Sequence, residues 1–276
     1  MTDTAARVSF YFSAHQDDWQ LFMTPPAFQD ALDDTCRCVF VHMTAGDAGL
    51  GLGDGGRAHP LYLARENGAE AAIRFMADAN DRVPGDAAVS TPAVNGHPIR
   101  CVRYRNTAAY FLRLPDGSPA GTGYAATGLQ SLTRLASGDI AALTAIDGTT
   151  TYRGWDDLTA TLRALIDTER HHDLPMMLHV PERDATINPN DHADHDMTAK
   201  VALDAANGLA ALRVHHVGYA AGNRPENLSL FERDMKSAVY AVTLAGVLAL
   251  GHPVSWEHYD RLFIGRDYCR GEEPGV

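Results

Sequence analysis

Short runs of β-branched and aromatic residues alternate with stretches of helical periodicity, and that alternation constrains the fold of this chain more than any other feature. Residues 7–13 and 36–43 read as buried strands rich in Val, Phe and Tyr, and a further apolar run covers 176–180. A candidate strand follows at 214–219, and 99–114 is strand-like up to a turn at Pro115-Asp116-Gly117. Residues 25–32 read as a short helix with proline in its first turn. In 61–79, Leu61, Ala64, Ala69, Ala72, Ile73 and Met76 share one side, with Arg65, Glu66, Glu70 and Arg74 interleaved, which is an amphipathic helix. Residues 156–168, 195–212 and 229–250 are also helical in spacing, and the small residues of 118–128 read as a long surface loop. Strands alternating with helices predict an α/β, Rossmann-like layered fold, with a mostly parallel sheet flanked by helices. No repeat or low-complexity linker divides the chain, so residues 1–276 are expected to form a single domain.

Formal net charge is -12, which argues against a protein that tracks nucleic-acid phosphates or seeks anionic lipid. A small-molecule partner fits this balance better, and self-association is left open. The first seven residues lack a basic start followed by an apolar segment, and no apolar stretch is long enough to span a bilayer. The expectation is a cytoplasmic protein with no membrane insertion. Cys36 and Cys38 alternate within a strand and have no second pair to complete a metal clip. They, like Cys101 and Cys269, are read as free thiols rather than a disulfide framework.

Two acidic histidine clusters follow apolar runs. His15-Gln16-Asp17-Asp18 comes after the first, and His192-Ala193-Asp194-His195 after the run at 176–180. Both are therefore expected where strands run out into loops, the place an open α/β sheet puts its ligands. Amide hydrolysis needs a Lewis acid, a base for the water proton, and a donor for the oxyanion or leaving amine. His15, Asp18 and His195 can give a metal three protein ligands and leave a position open. Zn2+ is the expected ion, with Fe, Co or Mn as alternatives set by availability. Asp17 diverges from its neighbour and is the candidate general base. His192, one turn before His195, is placed to stabilise the oxyanion or protonate the leaving nitrogen, and Asp194 to orient His192. With 13 histidines in the chain, and acidic helix starts being ordinary caps, neither cluster alone is specific. Their conjunction at two strand ends is.

The first cluster resembles the His-Pro-Asp-Asp signature of the PIG-L/LmbE-like zinc-dependent N-acetylglucosaminyl deacetylases, and the second is similar to that family's His-x-Asp-His motif. Thr44-Ala45-Gly46-Asp47-Ala48-Gly49, Arg65-Glu66-Asn67, Gly218-Tyr219 and Pro225-Glu226-Asn227-Leu228-Ser229 support the resemblance, which covers most of the chain. It implies a hydrolase that removes an N-acyl group, acetyl above all, from an amino sugar or its conjugate. It implies His15, Asp18 and His195 as zinc ligands, Asp17 as base, and His192 aided by Asp194 as the electrostatic or acid partner. Two alternatives are a metal-dependent amidohydrolase for a non-sugar amide and a metal- or ligand-binding protein without turnover.

Two residues depart from the family pattern. Gln16 stands where proline is usual and is expected to loosen the turn. Trp19 stands where glutamate is usual, and its indole either stacks on a sugar at the cavity mouth or packs in the core. Asp47 is read as contacting a substrate hydroxyl or capping a turn. Arg65 either clamps substrate oxygens or makes a surface ion pair with a neighbouring Glu. Residues 44–55 hold five glycines without a dinucleotide fingerprint or a Walker lysine, and read as a flexible rim. The side chains of His171-His172 and His215-His216 would point apart, so most of these four are structural or exposed, with His215 or His216 as an outer pocket wall.

Overall fold

Val8, Phe10 and Phe12 project to one side of the first strand and Tyr11 to the other, and all four are fully buried. A strand without a solvent face belongs inside a sheet covered on both sides. The computed structural model describes residues 5–170 and 174–272. Its elements run β1 (Arg7–Ser13), α1 (Asp18–Phe22), α2 (Thr24–Leu32), β2 (Cys36–Thr44), α3 (Leu61–Asp78), β3 (Ala87–Ser90), β4 (Ala93–Val94), β5 (His97–Pro98), β6 (Arg100–Tyr104) and β7 (Thr107–Leu114). Then come α4 (Leu132–Ser137), β8 (Leu143–Thr144), β9 (Thr151–Tyr152), α5 (Gly154–Glu169), β10 (Met176–Pro181), α6 (Ala193–Ala205), β11 (Leu212–His216), α7 (Leu230–Ala249), α8 (Trp256–Tyr259) and β12 (Cys269–Glu272).

The main sheet has the order β12-β11-β10-β1-β2-β7-β6-β3. The five central strands β11, β10, β1, β2 and β7 are parallel, and β12, β6 and β3 add antiparallel edges. The expected α/β layered fold is thus present. One apolar layer joins Phe10, Val41 and Leu178 to Leu162 of α5 and Val201 of α6; the other joins Tyr11 and Phe40 to Ile73 of α3 and Val239 of α7. Among the described residues no helix is long and apolar enough to cross a membrane.

Three expectations shift. The strand-like segment 99–114 is a hairpin: β6 turns back into β7 at Arg105, which takes a left-handed φ of 51°. The helix expected at 195–212 starts earlier, at Ala193, and stops at Ala205 ahead of Gly208, whose φ is 76°. The stretch read as a surface loop after Gly117 is not wholly superficial, since Ser118 is buried and accepts the Gly121 N–H at its carbonyl.

α3 and α7 touch backbone to backbone. A Cβ at Gly246 would meet Gly68 Cα at 2.7 Å, and Asn67 Nδ2 donates to the Gly246 carbonyl at 2.8 Å. On the opposite side of the sheet, Glu169 at the end of α5 is fully buried and accepts from Arg37 Nε at 2.5 Å, Arg103 at 2.5 Å and the Tyr110 hydroxyl. Glu169→Ala strands all three donors. Both guanidinium groups keep some water contact, so the expected loss is about 3 kcal/mol, the low end for a broken buried pair, read as a lower urea midpoint at unchanged slope.

Lys236 of α7 is fully buried, with Nζ donating to the Arg266 carbonyl at 2.6 Å. Burial pushes its pKa down to about 8. Because the unfolded chain keeps this proton to higher pH, it binds more protons than the folded chain between that value and the ordinary lysine range. The contribution of Lys236 to stability therefore rises with pH above 8, by at most about 1.4 kcal/mol per pH unit, and is least favourable below it. Urea titrations at pH 8 and 10 should show that rise in the unaltered chain relative to Lys236→Met; parallel pH profiles would count against it.

Candidate metal centre

The first cluster begins where β1 ends. Thr44, the last residue of β2, donates its N–H and hydroxyl to the Ala14 carbonyl at 2.9 and 2.8 Å, and Gln16 Nε2 donates to the Thr44 carbonyl at 2.9 Å. The expectation of a looser turn is corrected: a hydrogen bond from Gln16 fastens it to the neighbouring strand where proline would have stiffened it. Gly46 makes room for this, because a Cβ there would meet Gln16 Oε1 at 2.7 Å and Arg65 Nε at 3.0 Å.

The turn places Asp18 at the start of α1, with Oδ2 accepting the His15 N–H at 2.7 Å. Asp18 Oδ1 lies 3.6 Å from His15 Nδ1 and 3.2 Å from His195 Nε2. His195 comes from the first turn of α6, and its Nδ1 faces both Asp191 oxygens at 3.0 Å. A proton on Nδ1 shared with Asp191 leaves the Nε2 lone pair for a cation, the usual way a carboxylate orients a ligating imidazole. All three residues are buried, and His195 Nε2 has no hydrogen-bond partner.

His15, Asp18 and His195 thus form a buried group able to hold a metal ion, with one donor atom from each all within 4.8 Å of one another. In a tetrahedral shell with bonds near 2.0–2.1 Å, ligand atoms are about 3.3 Å apart, so the 3.2 and 3.6 Å separations suit a zinc-sized cation. The electrostatics agree. Burial works against a charged His15, yet Asp18 and Asp194 outweigh it and hold its pKa up at about 10. Burial is likewise overcome at His195, where Asp18 and Asp191 raise the pKa well above the usual range. The surrounding carboxylates favour positive charge on this group, supplied by protons on the imidazoles unless a metal ion displaces them.

His192 caps the N-terminus of α6, its Nδ1 accepting the Asp194 N–H at 3.2 Å. Burial, then the neighbouring His15, push its pKa down to about 4. It is a neutral imidazole carrying its proton on Nε2. Asp194, which the sequence suggested as a partner of His192, lies beside both His192 and His15. It is fully buried, its Oδ2 accepts the Gly117 N–H at 2.8 Å and lies 3.6 Å from His15 Nε2, against 3.8 Å to His192.

A cavity of about 210 Å3 opens onto His15, Asp17, Asp18, Asp116 and His192, with Tyr219 in its wall. Asp17 is about a quarter exposed, and Arg65 donates to its Oδ1. Arg65 therefore pairs with Asp17 rather than with a neighbouring Glu, and it too lines the cavity. The readings of Trp19 and Asp47 as substrate contacts are corrected. Trp19 is fully buried and packs on Phe40 at a centroid distance of 4.8 Å, because its position on α1 turns it onto the sheet. Asp47 is fully buried and accepts the N–H groups of Gly51 at 2.7 Å and Asp116 at 3.1 Å, holding two loops together. His216 is an inner residue that meets His179 at 2.9 Å, and His215 lies 3.4 Å from Glu272; neither lines this cavity. His171-His172 lies outside the described residues.

Two contributors escape a reading by motif. Asp116, read as a turn residue, stands 3.9 Å from His15 Nε2 and groups with His15, His192 and Asp194. Asp191 sits four residues before His195, a spacing that already places them together on a helical start. No family model, curated protein or solved structure matches this chain.

Proposed function

We propose that this protein is a hydrolase dependent on a divalent metal, Zn2+ in the first instance, that removes an N-acyl group, acetyl above all, from an amino sugar or its conjugate. The resemblance to the PIG-L/LmbE-like deacetylases is part of the same proposal. The observation that carries it is the convergence of His15, Asp18 and His195 in a buried group beside a cavity that Asp17 and His192 also line. A cation held there supplies Lewis acidity to water and to the amide carbonyl.

The remaining chemistry belongs to the side chains. Asp17 takes the proton from the attacking water, and Arg65, occupying one of its oxygens, fixes the carboxylate's direction. His192 has its Nδ1 engaged by the α6 backbone, so its Nε2–H is the donor toward the developing oxyanion. Asp191 keeps His195 in one tautomer.

Chelation followed by metal re-addition, with amine release from N-acetylglucosamine derivatives as the readout, tests this. Turnover should vanish with the metal and return with Zn2+. Full activity in the metal-free protein would refute the mechanism. A second reading, hydrolysis of a non-carbohydrate amide by the same groups, is favoured by a neighbouring apolar chamber.

A further inference from the structure

Beside the metal cavity lies a second, larger one of about 380 Å3, and the two share Asp17, Arg65 and Tyr259. Its walls come from α3, α7 and the segment after α7: Leu61, Tyr240, Leu244, Val247 and Val254 face it. Beyond the Asp17–Arg65 pair no charged side chain lines it among the described residues. Tyr240 is braced by Tyr259 and Trp256, with ring centroids 5.7 and 5.9 Å away.

The elements that wall the chamber are tied to one another: Gly68 and Gly246 fix the crossing of α3 and α7, and ahead of α3 Arg57 donates to the Gly251 carbonyl at 2.6 Å and His252 Nε2 to the His59 carbonyl at 2.7 Å. Gln16, Thr243, Ser255 and the tyrosine hydroxyls also border the chamber, but sugar hydroxyls set against Leu61, Leu244, Val247 and Val254 would find no partner. An alkyl or aryl group would exchange water for apolar wall, and the volume falls in the range of preformed small-molecule sites.

We propose that this chamber is the subsite for an alkyl or aryl group whose attached amide reaches past Asp17 and Arg65 into the metal cavity. The inference rests on the hydrolase reading for the identity of the polar end, so the ligand class becomes an acylated amine with an apolar substituent. The apolar group belongs either to the acyl side or to the amine side of the amide.

Two series separate those sources: acetamide, butanamide and hexanamide lengthen the acyl side, whereas N-methyl-, N-butyl- and N-hexylacetamide lengthen the amine side. Affinities measured by NMR titration on the metal-free chain do not depend on turnover. In at least one series affinity should rise about fourfold per methylene that enters. Val254→Trp and Leu61→Trp fill the chamber from different walls, and either should flatten that rise while far-ultraviolet circular dichroism stays unchanged. No dependence on chain length in either series would overturn the proposal, as would a rise that survives both substitutions. A protein that binds the longer amides in this way but releases no amine when loaded with metal would sink the hydrolase reading and leave the subsite standing.

Discussion

Asp17→Asn is expected to leave metal content unchanged while lowering kcat by about 10²–10⁴-fold, the usual contribution of a positioned base. The substitution keeps the size of the side chain and retains an oxygen for Arg65, which donates to Oδ1 in the unaltered chain. What it removes is the capacity to accept a proton. His15 and Asp18 depend on the turn held by Gln16 and Thr44, not on the charge of Asp17, so the donor set should persist. Metal analysis alongside amine release separates the two effects. Loss of metal in step with activity would show that Asp17 holds the ion; undiminished kcat would remove it from the chemistry.

Asp18→Ala should have the opposite profile. Asp18 is the carboxylate between two buried imidazoles, and its own pKa is held well below the usual range: burial opposes this, and His195 and His15 override it. Without it the metal affinity should fall by more than about 100-fold, exceeding the effect of losing an orienting partner alone. The metal-free chain should also lose about 3 kcal/mol, since both imidazoles lose the carboxylate they share while Asp191 and Asp194 remain beside them. That corresponds to a fall in Tm on the order of 10 °C for a chain of this size. Asp18→Asn can still accept the His15 N–H, so it should recover part of the stability and little of the affinity. Metal retained by Asp18→Ala after dialysis would remove Asp18 from the ligand set.

Local signals make much of this legible in the sequence. The run at 7–13 is bounded as β1 is, because β-branched and aromatic residues stop where polar residues begin, and the apolar spacing of 61–79 describes α3 to within a residue. The grouping of His15, Asp18 and His195 is also legible, since both clusters follow strands and parallel strands bring their C-terminal ends together. What pattern does not carry is the partner across space. Nothing local pairs Arg65 with Asp17, sends Asp116 from a turn toward His15, or turns Trp19 onto Phe40 rather than into the cavity. The turn at Arg105 lacks the Gly that would have announced it, so two strands read as one. The apolar chamber is equally silent in sequence, because its wall residues are indistinguishable from core until the crossing at Gly68 and Gly246 sets the space between α3 and α7.

β1 is flanked by β2 on one side and by β10 on the other, with Val8 in register with Met176. A nascent chain that has emerged only through β7 can pair β1 and β2, yet it carries just one imidazole and one carboxylate of the trio able to hold an ion. The rest arrives with α6, after most of the polypeptide has been synthesised. Such high contact order makes closure of the sheet slow, so a metal taken up by this group would be captured among the last events of folding rather than serve as a template for it.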